Sequence, residues 1–463
     1  MRQNIKNFSY SILANGVVTL TNLITTLVMP KILDVESYGY FQLYMFYAGY
    51  VGILHLGWAD GIYLKYCGEE YEKLDRKLFN GQIKTFECLQ IMWAFLAILN
   101  AFHQDILDKK IVFVSVGILI AITNIRILLS FILQATNRIQ EYAKASIFGN
   151  FISVFLYVVL LAGKEKFYGF YVGVNLIGVM ITLLLECYWC RELLIISKKD
   201  KLFHALSLQK RETVENISVG SKLMLASLAG MLILGIVRWA VEIQWDIEVF
   251  AQVSLTLSVS NLFMTFINAV ATVLLPMLRQ MDEEKAVSLY KKIDICLLII
   301  LSGGMLLYYP AYLLITHWIP HYQESLKYMA ILFPVCIFEG KTSLLLTTYL
   351  KLIRREKKIL LINILTVVVS VILTGISVFV FENLTLTVIA IVVILGARCV
   401  FAELYLGNCL CLNMWKSIVM EVSISICFMY SSWIIGGRQG VICYLCSFII
   451  IIMFNIRQLK NFF

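Results

Sequence analysis

The sequence predicts an all-α polytopic membrane protein of about fourteen transmembrane helices, built as two six-helix lobes related by a pseudo-two-fold axis along the membrane normal, with two further C-terminal helices. Three observations carry that reading: a composition too apolar for a water-soluble globule, apolar runs that recur along the whole chain, and a weak internal repeat. Of the 463 residues, 60% are hydrophobic and 15% charged, against roughly 45–50% and 25% in an ordinary soluble protein.

A hydrocarbon core about 30 Å thick needs roughly 20 apolar residues per helix. In order, the expected spans are 8–30, 40–64, 83–102, 111–135, 146–163, 167–190, 214–238, 249–275, 293–315, 325–350, 359–381, 384–406, 417–435 and 440–456. The first follows Arg2 and Lys6 but is too long for a signal-peptide core and lacks a small-x-small cleavage site, so it reads as a resident helix. The longest polar stretch, from Arg191 to about Asn216, leaves no room for a soluble catalytic domain. The twelve cysteines are scattered, and the pairs Cys187/Cys190, Cys409/Cys411 and Cys443/Cys446 lack the further ligands of a zinc site, so they read as small apolar residues.

The loops between the spans carry the orientation. Placing the N-terminus in the cytoplasm puts 27 of the 39 basic residues on that side and 8 on the other, the asymmetry expected of a multi-pass protein of the cytoplasmic membrane. The cytoplasmic clusters include Lys65 to Lys84, Arg191 to Arg211, Arg279 to Lys292 and Lys351 to Lys358. Both termini are therefore expected inside, with an even helix count. The net charge of +9 reads as topology, and no nucleic-acid partner is expected.

The internal repeat sets Asp34-Val35-Glu36-Ser37-Tyr38-Gly39 over Asp246-Ile247-Glu248-Val249-Phe250-Ala251, an offset of 212. At an offset of 213, Arg138, Lys144, Asn150 and Ser153 fall over Lys351, Lys357, Asn363 and Thr366. The halves share an orientation, so the repeat is parallel. It predicts an N-terminal lobe over 1–190, a basic cytoplasmic linker over 191–213, a C-terminal lobe over 214–406 and additional helices over 407–463.

A charge at the centre of a span costs at least about 2.5–3.5 kcal/mol and turns toward a cavity or a partner. Asp60, Arg126, Lys222, Glu339, Lys341, Arg398 and Glu403 lie within the expected spans. Arg126, between Ile125 and Ile127, is the strongest candidate for a functional charge. The offset of 213 sets it over Glu339, so the two either line a cavity or pair between lobes. Lys222 lies about two turns into its span, within snorkelling reach of the cytoplasmic face. Lys341 points nearly opposite to Glu339, and Arg398 and Glu403 either face inward or brace neighbouring helices.

The eighth span carries Ser254, Ser258, Asn261, Thr265, Asn268 and Thr272 at spacings that share one helical face. The first repeats the idea with Asn15, Thr19, Asn22 and Thr26. One such stripe would read as a packing surface. Two, on the first and second helices of opposite lobes, read as a hydrated path with groups suited to sugars.

The stretch from Asn15 to Tyr50, with Met29-Pro30-Lys31-Ile32-Leu33 running into Glu36-Ser37-Tyr38-Gly39-Tyr40-Phe41, resembles bacterial polysaccharide (O-antigen or capsule) flippases of the multidrug/oligosaccharidyl-lipid/polysaccharide exporter superfamily. Gly57-Trp58-Ala59-Asp60-Gly61 and Leu133-Gln134-Ala135 through Arg138 are similar too, and the resemblance covers essentially the whole chain. Where that pattern closes the seventh helix with an Asp-Arg pair, Val237-Arg238 keeps only the Arg. The resemblance implies two lobes around a V-shaped cavity, alternating access, and an undecaprenyl-diphosphate-linked oligosaccharide moved to the outer leaflet for surface polysaccharide biosynthesis.

The residues suit such a cargo. Arg126, Lys222, Lys341 and Arg398 are candidates for holding a diphosphate, Asn261, Thr265, Asn268 and Asn22 for the sugars, and Asp60, Glu339 and Glu403 for a coupling proton or sodium ion. No Walker A sequence, metal site or catalytic residue is expected, and the energy source is an ion gradient. Membrane lipids, a polysaccharide polymerase and chain-length proteins are the expected partners. The rival readings are a cation-coupled multidrug antiporter of the same fold, a peptidoglycan-precursor flippase, and a membrane polysaccharide polymerase or ligase. The last would need a large external loop, and none here exceeds about a dozen residues.

Overall fold

The chain opens with α1 (Arg2–Leu23), whose helical path continues through a π turn at Ile24–Val28 into Met29–Ile32. Pro30 has no N–H to give the preceding turn, and a wider i→i+5 turn just ahead of it accommodates that loss. A computed structural model describes residues 2–195, 202–278 and 281–460. Lys198, Lys199, Lys201 and Arg279 lie outside the described residues, as do the side chains of Arg2, Lys6, Thr272, Arg457 and Lys460. All regular elements of the described residues are helical. They fall into two compact units, Met1–Leu228 and Ala229–Phe463.

In the first unit, Asp34 caps α2 (Val35–Tyr50) by accepting the Ser37 N–H at 2.8 Å. The expected span 40–64 is broken: after α2 comes a 3₁₀ turn over Val51–His55, then Leu56 and Gly57 at φ 55° and 79°, then α3 (Trp58–Tyr66). Backbone groups freed inside a membrane must find other partners. Here Asn124 donates to the Val51 carbonyl at 3.1 Å, Gln90 to the Leu54 carbonyl at 3.2 Å, and the Gly57 N–H to His55 Nδ1 at 3.0 Å.

The unit continues with α4 (Arg76–Phe102), α5 (Leu107–Ala135), α6 (Ile139–Ala162) and α7 (Tyr168–Trp189). Small residues let α6 and α7 approach closely. A Cβ built at Gly178 would lie 1.9 Å from Ser153 Oγ, and one at Gly149 would lie 2.0 Å from Thr182 Oγ1. Those two hydroxyls bond back to the carbonyls of Gly149 and Gly178, which keeps their polarity inside the pair.

Across the 191–213 segment, a short helix at Arg191–Leu194 is followed by α8 (Leu202–Gln244), which starts about a dozen residues ahead of the span expected at 214. Its 43 residues make about 65 Å of helix, twice the hydrocarbon thickness. The polar first part of α8 is held to the first unit by Lys65 at 3.2 Å from Glu212 and 3.6 Å from Glu215. It is held further by backbone contact with α3: a Cβ at Gly220 would lie 1.9 Å from the Gly57 carbonyl oxygen, and one at Gly61 would lie 2.0 Å from that of Asn216.

The second unit takes the remainder of α8 from Ala229, then α9 (Ile247–Leu278) and α10 (Glu283–Gly304), which passes through a 3₁₀ turn into α11 (Tyr308–Trp318). α12 (Ser325–Leu332) and α13 (Val335–Leu352) form one span bent by 40° at Pro334. α14 (Glu356–Gly375), α15 (Leu384–Leu410), α16 (Trp415–Met429) and α17 (Gly437–Lys460) complete it. Asp246 precedes α9 as Asp34 precedes α2, and both carbonyls accept the N–H four residues on, from Phe250 and Tyr38, a bond that also opens other helices of the chain.

Twelve helices of the described residues are long and apolar enough to cross a membrane, and counting the pair bent at Pro334 as one span gives thirteen. The fourteenth expected span is the one broken at Leu56–Gly57. This is a multi-pass membrane protein, and its exposed side chains, such as Phe151 and Phe155 on α6 or Leu365 and Val368 on α14, present hydrocarbon outward. The final two helices, expected as an addition to a six-helix lobe, are packed into the second unit. Tyr444 donates to the Ser302 carbonyl at 2.7 Å, and Phe428 touches Tyr308, Phe333 and Tyr444.

Candidate functional site

The charges expected within spans resolve into three settings. In the first unit, Arg126 on α5 is half-buried, and its Nε is enclosed without a hydrogen-bond partner. Its field acts on Glu186 of α7 and on Tyr142 of α6, yet it closes no ion pair among the described residues. Glu186 is wholly buried and accepts the Ser130 hydroxyl at 2.7 Å through one carboxylate oxygen. Lys222 stands exposed on α8 and Asn22 exposed on α1. Asp60, on α3 just after the break, faces His55 at 3.6 Å.

In the second unit, Arg398 on α15 donates to Glu339 of α13 at 2.7 Å and to the Asn363 side chain of α14 at 3.1 Å. The sequence offset of 213 places Arg126 over Glu339, and it places Glu186 one residue from Arg398. Each unit thus sets one cation and one carboxylate on its corresponding helices, with the signs exchanged. Beside Arg398, α14 and α15 flank an open apolar groove of about 410 Å³, lined by Leu365, Val369, Ala397 and Phe401. Arg398→Gln leaves Glu339 facing lipid-depth surroundings without its cation and should destabilise the protein by about 3 kcal/mol. The exchanged double variant E339R/R398E should recover most of that loss, because Asn363 can turn its amide to donate instead of accept. Thermal unfolding of the purified variants checks this.

The third setting brings together Lys341 of α13 and Glu403 of α15, which the sequence assigned to different tasks. The Lys341 ammonium is buried, at 2.7 Å from Glu403, 2.9 Å from Asp294 of α10 and 3.0 Å from Ser417 of α16, and it also contacts Glu421 of α16. An ammonium has three hydrogens to give. Its charge is therefore taken up by carboxylates of the same unit, and none faces outward toward a phosphate. Cys399, Glu403 and Glu421 bring a thiol and two carboxylate oxygens within 4.8 Å of one another. With Lys341 already bridging the acids, that set is unsuited to a divalent metal. A cavity of about 340 Å³ runs from exposed Lys291, Asn413 and Lys416 to buried Asp294 and Ser417, with Tyr290 in its wall.

The polar stripe of α9 divides along its length. Ser254 is buried and accepts from Arg238 at 3.0 Å, while Asn261 and Asn268 are exposed. Thr265 is half-buried and bonds back to the Asn261 carbonyl, and Asn268 accepts from Ser343 at 2.6 Å. On α1, Asn15 and Asn22 are exposed but Thr26 is buried, because the π turn beginning at Ile24 rotates the residues after it off the 3.6-residue face. Sequence reasoning missed Glu186, Asp294 and Glu421. Each lies near the edge of an expected span, where an acid reads as interfacial.

No protein-family profile matches the chain, and no curated protein matches it. Solved structures do. A lipid II flippase, MurJ, in an inward closed conformation superposes with a TM-score of 0.68 at 12% identity, over 98% of this chain and 100% of that one. A multidrug resistance MATE family transporter of the MOP superfamily matches in its inward-facing conformation with a TM-score of 0.61 at 14% identity, over 84% and 94%. The outward-facing conformation of a MATE family transporter gives 0.57 at 15%, over 88% and 95%. The fold of this chain is the one these MOP superfamily transporters share.

Proposed function

We propose that the protein is a flippase that carries a polyprenyl-diphosphate-linked oligosaccharide between the leaflets of a bacterial cytoplasmic membrane, coupled to an ion gradient. The observation that carries this reading is Arg126: a guanidinium in mid-span, half-buried, with an unpartnered Nε and no ion pair among the described residues. A guanidinium at that depth that closes no ion pair is costly, and an anionic headgroup repays the cost. Lys222 and Asn22, exposed in the same unit, offer a second cation and an amide that binds hydroxyls. The match over nearly the full chain to a lipid II flippase favours a lipid-linked cargo over a soluble one. A multidrug antiporter would use an acidic site for organic cations, and in this chain Glu339 and Glu403 are engaged by Arg398 and Lys341.

The test is flipping of a fluorescent polyprenyl-diphosphate oligosaccharide in proteoliposomes. Arg126→Ala should slow it by roughly tenfold to a hundredfold, the cost of one charge-assisted contact, while Arg126→Lys keeps part of the rate. Lipid II and a lipophilic cation serve as competing cargoes. Transport of the cation alone, unaffected by Arg126→Ala, would replace this reading with the antiporter.

A further inference from the structure

Three carboxylates and one ammonium meet inside the second unit, so the group carries two negative charges in excess if every acid is ionised. Such an imbalance is not sustained in a low-dielectric interior, where uncompensated charge costs several kcal/mol per ion. Two further observations indicate how it is resolved. The second carboxylate oxygen of wholly buried Glu403 has no hydrogen-bond partner, and neither does the enclosed hydroxyl of Tyr290 in the cavity wall. A buried hydroxyl in the wall of a cavity that also carries Asp294, Ser417 and Asn455 is a place that suits water. The cavity reaches Asp294 and Ser417 from the end of the bundle that bears Lys291 and Lys416.

We propose that Asp294, Glu403 and Glu421, gathered round Lys341, form a proton-binding site that exchanges with the aqueous phase through this cavity. The groups that face Glu403 are Asp294 and Tyr290 from α10, Lys341 from α13, Cys399 from its own helix and Glu421 from α16. A proton fits better than a metal ion. Lys341 already stands where a bridging cation would, and the Ser417 hydroxyl is used twice, toward Lys341 and toward Glu421 at 3.1 Å. Glu403 keeps one oxygen without a hydrogen-bond partner, and Asp294 Oδ1, though 2.9 Å from the ammonium, closes no hydrogen bond; one oxygen suffices for a proton, whereas a hard metal ion needs several. A neutral carboxyl without a partner is also far cheaper to bury than an ionised one. The site sits on different helices, and in a different unit, from Arg126, and its occupancy does not depend on the identity of the cargo.

Infrared spectroscopy of the full-length protein in nanodiscs tests this. At neutral pH the wild type should show a carboxylic-acid carbonyl band that shifts in D2O and fades as the buffer is made alkaline. Glu403→Gln should remove one component of it, and Glu421→Gln should shift what remains. Glu186→Gln should remove a separate component or none. Exchanging Na⁺ for K⁺ or choline should leave the band and the melting temperature unchanged. The proposal is overturned if no part of the band depends on Glu403 or Glu421. It is overturned equally if Na⁺ abolishes the band and raises the melting temperature only when Glu403 is intact, which would make this a sodium site. Should Glu403→Gln fail to fold, the wild-type titration and Glu421→Gln decide alone. Neither failure touches the flippase reading, which rests on Arg126.

Discussion

Lys341→Met should yield a protein that inserts but does not hold its second unit together. The ammonium touches three acids from three helices, α10, α15 and α16, and removing it leaves those acids confronting one another without a counter-ion. Deleting one partner of a buried pair costs about 3–5 kcal/mol, and the ammonium's hydrogen bonds to the remaining groups go with it, about 0.5–1.5 kcal/mol each. That approaches the whole stability of an ordinary folded unit, about 5–15 kcal/mol. Size-exclusion profiles in detergent should shift from a single peak to aggregate. Adding Glu403→Gln and Glu421→Gln to Lys341→Met should restore much of the peak, since only Asp294, which lines the cavity, then lacks a counter-ion. Lys341→Arg should not substitute, because a planar guanidinium cannot replace a compact ammonium contacting four oxygens. A Lys341→Met protein as stable as wild type would mean that the carboxylates do not depend on this charge.

Gly220→Val should be nearly as damaging, for a steric reason. The added Cβ would lie 1.9 Å from the Gly57 carbonyl oxygen and 2.4 Å from the Gly61 nitrogen, both backbone atoms that cannot rotate away. α3 must then withdraw from α8, and with it goes the bridge in which Gln82 accepts from both Trp58 and Asn216 at 3.0 Å. Overpacking costs typically about 1–3 kcal/mol, and each lost hydrogen bond adds about 0.5–1.5 kcal/mol. The melting temperature should fall sharply, and even Gly220→Ala should show part of the fall. Gly173→Ala, on α7 with open space where the methyl would go, should be neutral or slightly stabilising. Equal behaviour of Gly220→Ala and Gly173→Ala would show that the α3–α8 contact relaxes without penalty.

The membrane class and the span positions were legible because the bilayer imposes one strong rule, a run of apolar residues per crossing. The break in the second span was not. Gly57 is one residue in an apolar run, and what makes the break affordable is Gln90 and Asn124 arriving from other helices to take the carbonyls of Leu54 and Val51. Helical periodicity predicted the α1 stripe as far as Asn22 and lost it at Thr26, since a π turn changes the angle per residue, and Pro30 marks a disturbance in the helix without saying which face it turns inward. The same limit governs the sites. Lys341, Glu403 and Arg398 could be found one at a time as charges out of place, but their partners lie 35 to 80 residues away in the chain. Nothing in local spacing distinguishes an acid at a span edge that meets water from one, like Glu421 or Asp294, that turns inward. The role of the last two helices was hidden for the same reason, because Glu421 and Ser417 acquire meaning only beside Lys341.

The Lys341 cluster also imposes an order on how the protein is made. As the nascent chain enters the membrane, Asp294 arrives first, Lys341 next, and Glu403 and Glu421 only 62 and 80 residues after the lysine. When the helix bearing Lys341 leaves the insertion machinery, Asp294 is already in place to receive it, so that span enters lipid as half of an ion pair rather than as a bare cation. Each later acid then meets a counter-ion that has preceded it. Biogenesis of the second unit can thus proceed helix by helix, with the cluster complete only on the arrival of α16.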